Sequence, residues 1–180
     1  MVNSHLHIAR NIILVENKRL RSSQPRQAAE RYMQLQNPAM KDNLELLLAK
    51  YDFQKKAFES KINTESIEDY FSGKLPEDYI LFLEKYLAFE GFINVEFVKL
   101  WAAEELIETN KGYEIQKYLP NTIGIGSNGS GEIIIIEFNE TESSQIVLTP
   151  ISFESEYNIN IGESFTEFLV RLDNGKAWFD

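Results

Sequence analysis

Three stretches of this chain hold residue types that could do chemistry. Glu104, Glu105 and Glu108 crowd into five positions. Paired carboxylates can act as general acid and base when a cleft drives their pKa values apart. Here Ala103, Leu106, Ile107 and Asn110 recur at helical spacing, which puts Glu104 and Glu108 one turn apart on the opposite face, with Glu105 beside them. Carboxylates on the outer face of an amphipathic helix are solvated as a rule, so polar surface is favoured over catalyst. His5 and His7 are the chain's two histidines. At i, i+2 they would share one face of a strand and could hold a metal, but a third ligand is missing and a solvated tail is favoured. Gly126-Ser-Asn-Gly-Ser-Gly131 resembles a phosphate cradle in composition alone. A cradle needs backbone N–H groups backed by a helix N-terminus. This loop runs into the β-branched run Ile133 to Ile136, with no Gly-Lys-Ser/Thr behind it, so it reads as a hairpin connection with a bulge.

Composition narrows the function further. The chain has 180 residues, 43% of them hydrophobic, which is enough for one well-buried domain plus an appendage. With no cysteine there are no disulfides and no thiolate ligands. No Ser, Lys or Asp stands in a known nucleophile motif. Neither an enzyme nor a cofactor is therefore expected. The N-terminus has no apolar leader and no run approaches a membrane span, so a soluble cytoplasmic protein is expected. The net charge of −10 divides unevenly, +4 over residues 1–60 and −14 over residues 61–180. So acidic a surface repels nucleic acid and favours basic partners. The basic arm Lys18-Arg-Leu-Arg21, Arg26 and Arg31 marks residues 1–40 as an N-terminal extension, with the main domain over 41–180.

The elements follow from periodicity and caps. Ser23 and Pro25 open a helix stopped by Asn37-Pro38, and a second is expected from Asn43 to Ser60. Asn63 caps a third, with Ile62 and Ile67 as its hydrophobic staple and Gly73 after its end. Pro76 starts a fourth at its first helical position, with Tyr79, Phe82, Leu83, Tyr86 and Leu87 as the buried stripe and Gly91 closing it. Val95 to Trp101 and Gln145 to Thr149 read as strands. Ser164 and Glu167 form a capping box for the last helix, ended by Asn174-Gly175. The expected core contains Ile123, Ile125, Ile133 to Ile136, Phe82, Tyr86, Phe165, Phe168 and Leu169.

Taken in order, several of these segments carry a resemblance. They are Leu75-Pro-Glu-Asp-Tyr79, Leu100-Trp-Ala-Ala-Glu-Glu-Leu-Ile107 and Tyr118-Leu-Pro120. They continue with Ile123-Gly-Ile-Gly-Ser-Asn-Gly-Ser-Gly-Glu132, Leu148-Thr-Pro-Ile151 and Gly162-Glu-Ser-Phe-Thr-Glu-Phe-Leu169. The set resembles the SUKH superfamily over about residues 62–175. That superfamily includes immunity proteins of bacterial polymorphic toxin systems and yeast cell-wall-synthesis regulators. The resemblance implies an α+β fold, a central mostly antiparallel sheet with flanking helices, here preceded by a helical N-terminal extension. It also implies a non-enzymatic role, binding and blocking a cognate protein toxin such as a nuclease, or else serving as a regulatory interaction module. The matched motifs are structural and transfer no binding site. On charge, the residues expected to meet a basic toxin are Glu104, Glu105 and Glu108, with Glu154 and Glu156 on the loop after Pro150.

Overall fold

The computed structural model describes residues 38–58, 62–71, 73–139 and 143–180, with side chains from Asn43 onward. His5, His7, the basic arm and the helix expected after Ser23 lie outside the described residues. Lys41–Asp180 form one compact unit. Its elements are α1 (Pro38–Lys50), α2 (Thr64–Phe71), α3 (Glu77–Lys85), β1 (Phe89–Ile93), β2 (Glu96–Leu100), α4 (Leu106–Gly112) and α5 (Ile115–Tyr118). They continue with β3 (Thr122–Ser127), β4 (Glu132–Phe138), β5 (Ser144–Pro150), a 3-10 turn (Ser155–Tyr157), β6 (Ile159–Gly162) and α6 (Phe165–Asp173). The six strands form one sheet in chain order, each antiparallel to its neighbour. The fold is therefore α+β with an antiparallel sheet and flanking helices, as expected.

The glycine-rich loop does what hairpin chemistry requires. Asn128 is buried and its Oδ1 accepts from the backbone N–H of Ser130 (2.9 Å) and of Glu132 (3.2 Å). Gly129 and Gly131 take φ of 73° and 115°, where a side chain would be strained. The bulge lies within β3, between Gly124 and Gly126, not in the turn. In β4, Ile133 and Ile135 point to one face and Ile134 and Ile136 to the other, and all four are buried. Fully burying each such side chain is worth about 1.5–3 kcal/mol, which makes this strand the centre of the core. α4 and α5 pack on β3, while α6 packs on β6, β1 and α3. Every residue of the expected core is buried.

The Asn63 and Ser164 caps anticipated from sequence are present, the second with one rearrangement. The backbone N–H of Ser66 donates to Asn63 Oδ1 at 3.2 Å. Ile67 is buried and Ile62 packs against the core beside it. Ser164 Oγ accepts from the backbone N–H of Glu167 at 3.1 Å. The reciprocal bond of the box is displaced, since Glu167 Oε2 accepts from the N–H of Glu163 rather than of Ser164. Asp78 reaches further than its own helix end. Its Oδ2 accepts from the backbone N–H (2.8 Å) and the hydroxyl (2.9 Å) of Thr166 in the first turn of α6. One carboxylate thus serves two helix N-termini, where the dipoles favour negative charge. Burial pushes its pKa up, against the pull of the Thr166 hydrogen bonds.

Several boundaries differ from expectation, each because a tertiary contact overrides local periodicity. α1 stops at Lys50, not Ser60. Phe53 turns inward and stacks on Phe89 with centroids 3.7 Å apart, Lys55 bridges to Tyr86, and Phe58 is 86% exposed. α3 ends at Lys85, because Tyr86 is extended, and Gly91 lies inside β1 rather than closing a helix. Leu87 is correspondingly exposed. Pro76 flanks α3 instead of occupying its first turn. α4 begins at Leu106, leaving Ala103 to Glu105 in the preceding turn. β6 was not anticipated.

Candidate partner-binding surface

The three carboxylates of the first group sit at the start of α4, and what holds them there is buried. Asn110 is fully buried on α4 and pairs with the backbone of β3. Its Nδ2 donates to the Gly124 carbonyl (2.8 Å) and to the Leu106 carbonyl (2.8 Å), and its Oδ1 accepts from the Gly124 N–H (2.7 Å). A side-chain amide here does what a neighbouring strand does elsewhere, because the backbone pairing to β3 on this side ends with the Trp101 N–H donating to the Ile125 carbonyl. The approach is close enough to require glycine. A Cβ on Gly124 would lie 2.5 Å from Ile115 Cδ1 and 2.9 Å from Trp101 Cζ3.

On this support Glu104 and Glu105 occupy the turn before α4, and Glu108 its first turn. All three are exposed. Glu104 faces Lys56 Nζ at 3.4 Å, and Glu108 pairs with Lys111 at 2.8 Å. Glu90, 2.9 Å from Lys99 Nζ, holds that ammonium above its ordinary value, and the charge of Glu105 adds to the effect. These are solvated ion pairs of small individual worth. Of the three, Glu105 comes within electrostatic reach of Lys99 on the β1–β2 hairpin. There Phe92 is 63% exposed and meets Phe97 edge to face at 5.6 Å, and Phe97 lies over Gly129.

The second group lies elsewhere. Glu154 flanks the 3-10 turn and Glu156 is within it, both exposed. Among the described residues no hydrogen bond or ion pair joins them to Glu104, Glu105 or Glu108. Glu156 instead shares a groove of about 370 Å³ with Glu132, at the end of the sheet where β4 begins and β5 finishes. Sequence reasoning missed Glu132 and Asn110. Asn110 was placed on the apolar face of its helix, and a polar residue there is a signal for a buried partner. Glu132 carries no local signal, since its neighbours are a glycine loop and a strand.

Residues 57–171, spanning α2, the whole sheet and most of α6, match the SMI1 / KNR4 family (SUKH-1). The chain belongs to this family. SUKH domains are in general non-enzymatic immunity or regulatory domains, and SUKH proteins in general interact with protein toxins. A search of curated proteins finds no match. Among the described residues no helix is long and apolar enough to cross a membrane.

Proposed function

We propose that this SUKH-1 domain is an immunity protein, which binds a cognate basic toxin domain in the cytoplasm and neutralises it by occlusion. Family membership across the whole sheet carries the reading. The charge of −14 over residues 61–180 supports the choice of partner. A nuclease active site is built to bind phosphates, so an acidic protein is a suitable competitor for it. The exposed Glu104, Glu105 and Glu108 supply long-range attraction, and the apolar pair Phe92 and Phe97 on the β1–β2 hairpin offers surface for a partner to desolvate. Glu154 and Glu156 extend the acidic surface on a second side. The SMI1 / KNR4 part of the family favours a second reading, a regulatory interaction module of the kind used in cell-wall control.

Co-expression with a toxin domain encoded by a neighbouring gene tests the first reading, together with binding kinetics at low and high salt. Protection of the cell and an association rate that falls with salt are the expected results. Reversing Glu104 and Glu108 to Lys should slow association about tenfold at low salt and lower the melting temperature by only a few degrees, since the pairs lost with Lys56 and Lys111 involve exposed carboxylates. Protection and kinetics untouched by the reversal would remove this surface from the site. Failure to bind any neighbouring gene product would overturn the immunity reading.

A further inference from the structure

We infer that the groove beside the glycine-rich hairpin is the seat for an arginine side chain of the protein partner. This deepens the immunity reading and rests on it. Three features of the groove point to a guanidinium. Leu148, Pro150 and Ile159 give it an apolar floor suited to a methylene stem. Tyr157 and Phe179, 60% and 67% exposed, supply aromatic walls on which a planar cation stacks. Among the described residues, Glu132 and Glu156 are the charged ones on the lining. Among the described residues no cation lines the groove to answer the two carboxylates. A volume of about 370 Å³ suits one long side chain.

One of the two carboxylates is held in place before any ligand arrives. Glu132 Oε2 accepts from Asn128 Nδ2 at 2.6 Å, and the other end of that buried amide is fixed by the N–H groups of Ser130 and Glu132. Oε1 is left for a partner. The hairpin loop thereby orients a carboxylate, and the ligand loses less freedom on meeting a group already ordered. Arginine is favoured over lysine because its flat, five-donor head can meet a ring face and two acceptors together.

The test needs no toxin. The full chain is labelled with 15N and titrated with N-acetyl-arginine amide, and backbone amide shifts are followed. Saturable shifts confined to the segments around Glu132, Tyr157 and Phe179 are expected, with a dissociation constant on the order of 1 mM, as for a single anchoring side chain. The uncharged norleucine analogue should leave these amides unmoved, and lysine amide should bind more weakly. Glu132→Gln with Glu156→Gln should raise the dissociation constant at least about tenfold. Glu156→Gln alone, at an exposed position, keeps the experiment readable if the double variant folds poorly. No saturable shift, or the same shift with norleucine or in the variants, overturns the inference. Co-expression separates it from the function proposed above. Protection that persists in a folded double variant overturns the groove as a toxin contact and leaves the immunity reading standing. Arginine binding by a wild-type chain that protects against no neighbouring toxin supports the seat and overturns that reading.

Discussion

Replacing Asn110 with Ala tests how α4 is held against the sheet. The substitution removes both partners of Gly124 on the side facing away from β4, its N–H and its carbonyl. The bond to the Leu106 carbonyl is lost too, but that oxygen lies within reach of the helix ladder. Each buried backbone group left unpaired costs about 1–3 kcal/mol, and the better helix propensity of Ala returns roughly 0.5 kcal/mol. The sum is a loss of about 3 kcal/mol. At roughly 2–4 °C per kcal/mol for a chain of this size, the melting temperature should fall by about 6–12 °C. Urea unfolding followed by tryptophan fluorescence and by far-UV circular dichroism measures it, and Trp101, packed at the same spot, makes fluorescence a local probe. A loss below about 1 kcal/mol, with the two probes coincident, would refute the reasoning, because the backbone of Gly124 would not then depend on this side chain. Gly124→Ala attacks the same junction from the other side and should destabilise as well, since its Cβ meets Ile115 and Trp101.

Other outcomes follow from the same geometry. Ile135→Asp buries an unpaired charge in the central strand and should abolish folding, whereas a soluble variant with the wild-type melting curve would place the core elsewhere. Ser164→Ala removes the cap of α6 and should cost about 1 kcal/mol in urea unfolding. Asp78→Asn tests linkage. Because the folded-state pKa of Asp78 lies above the ordinary 3.8, the unfolded chain loses its proton first as pH rises. Wild type should therefore lose stability relative to the Asn variant as pH rises through and above the ordinary carboxylate value of 3.8, and a difference that stays constant as pH rises would show that the carboxyl titrates alike in both states.

Signals that live within a few residues were legible. The central hairpin, the Asn63 and Ser164 caps and the apolar stripes of α3 and α6 all declare themselves through neighbours in sequence. What failed was decided across the fold. Gly91 follows a helical stripe and mimics a helix stop, yet its segment becomes β1 because Phe89 pairs with Leu100 and Phe92 with Phe97 across the hairpin. Tyr51 to Phe58 continue a helical pattern, but Phe53 is drawn onto Phe89. β6, Ile-Asn-Ile-Gly, is too short and polar to stand out, and forms because β5 offers it an edge. For the candidate surface, exposure of the five glutamates follows from their polar positions. Their separation into two groups does not, nor does the role of Glu132, which depends on β4, β5 and the C-terminal residues meeting in space.

A sheet whose strands lie in chain order also has a history written into it. Apart from β2 and β3, which are separated by α4 and α5, each strand can find its partner by closing a short loop, so the entropy lost at those steps is small, and pairing can spread outward from the β3–β4 hairpin. The helices are different. Asp78 must find Thr166 across 88 residues, and Lys50 must find Asp173 across 123. Such closures are worth making only after the meander has brought the ends together. The order of strands therefore assigns the slow part of folding to the docking of α1, α3 and α6, and leaves the edge of the half-made sheet open to other chains until that docking is done.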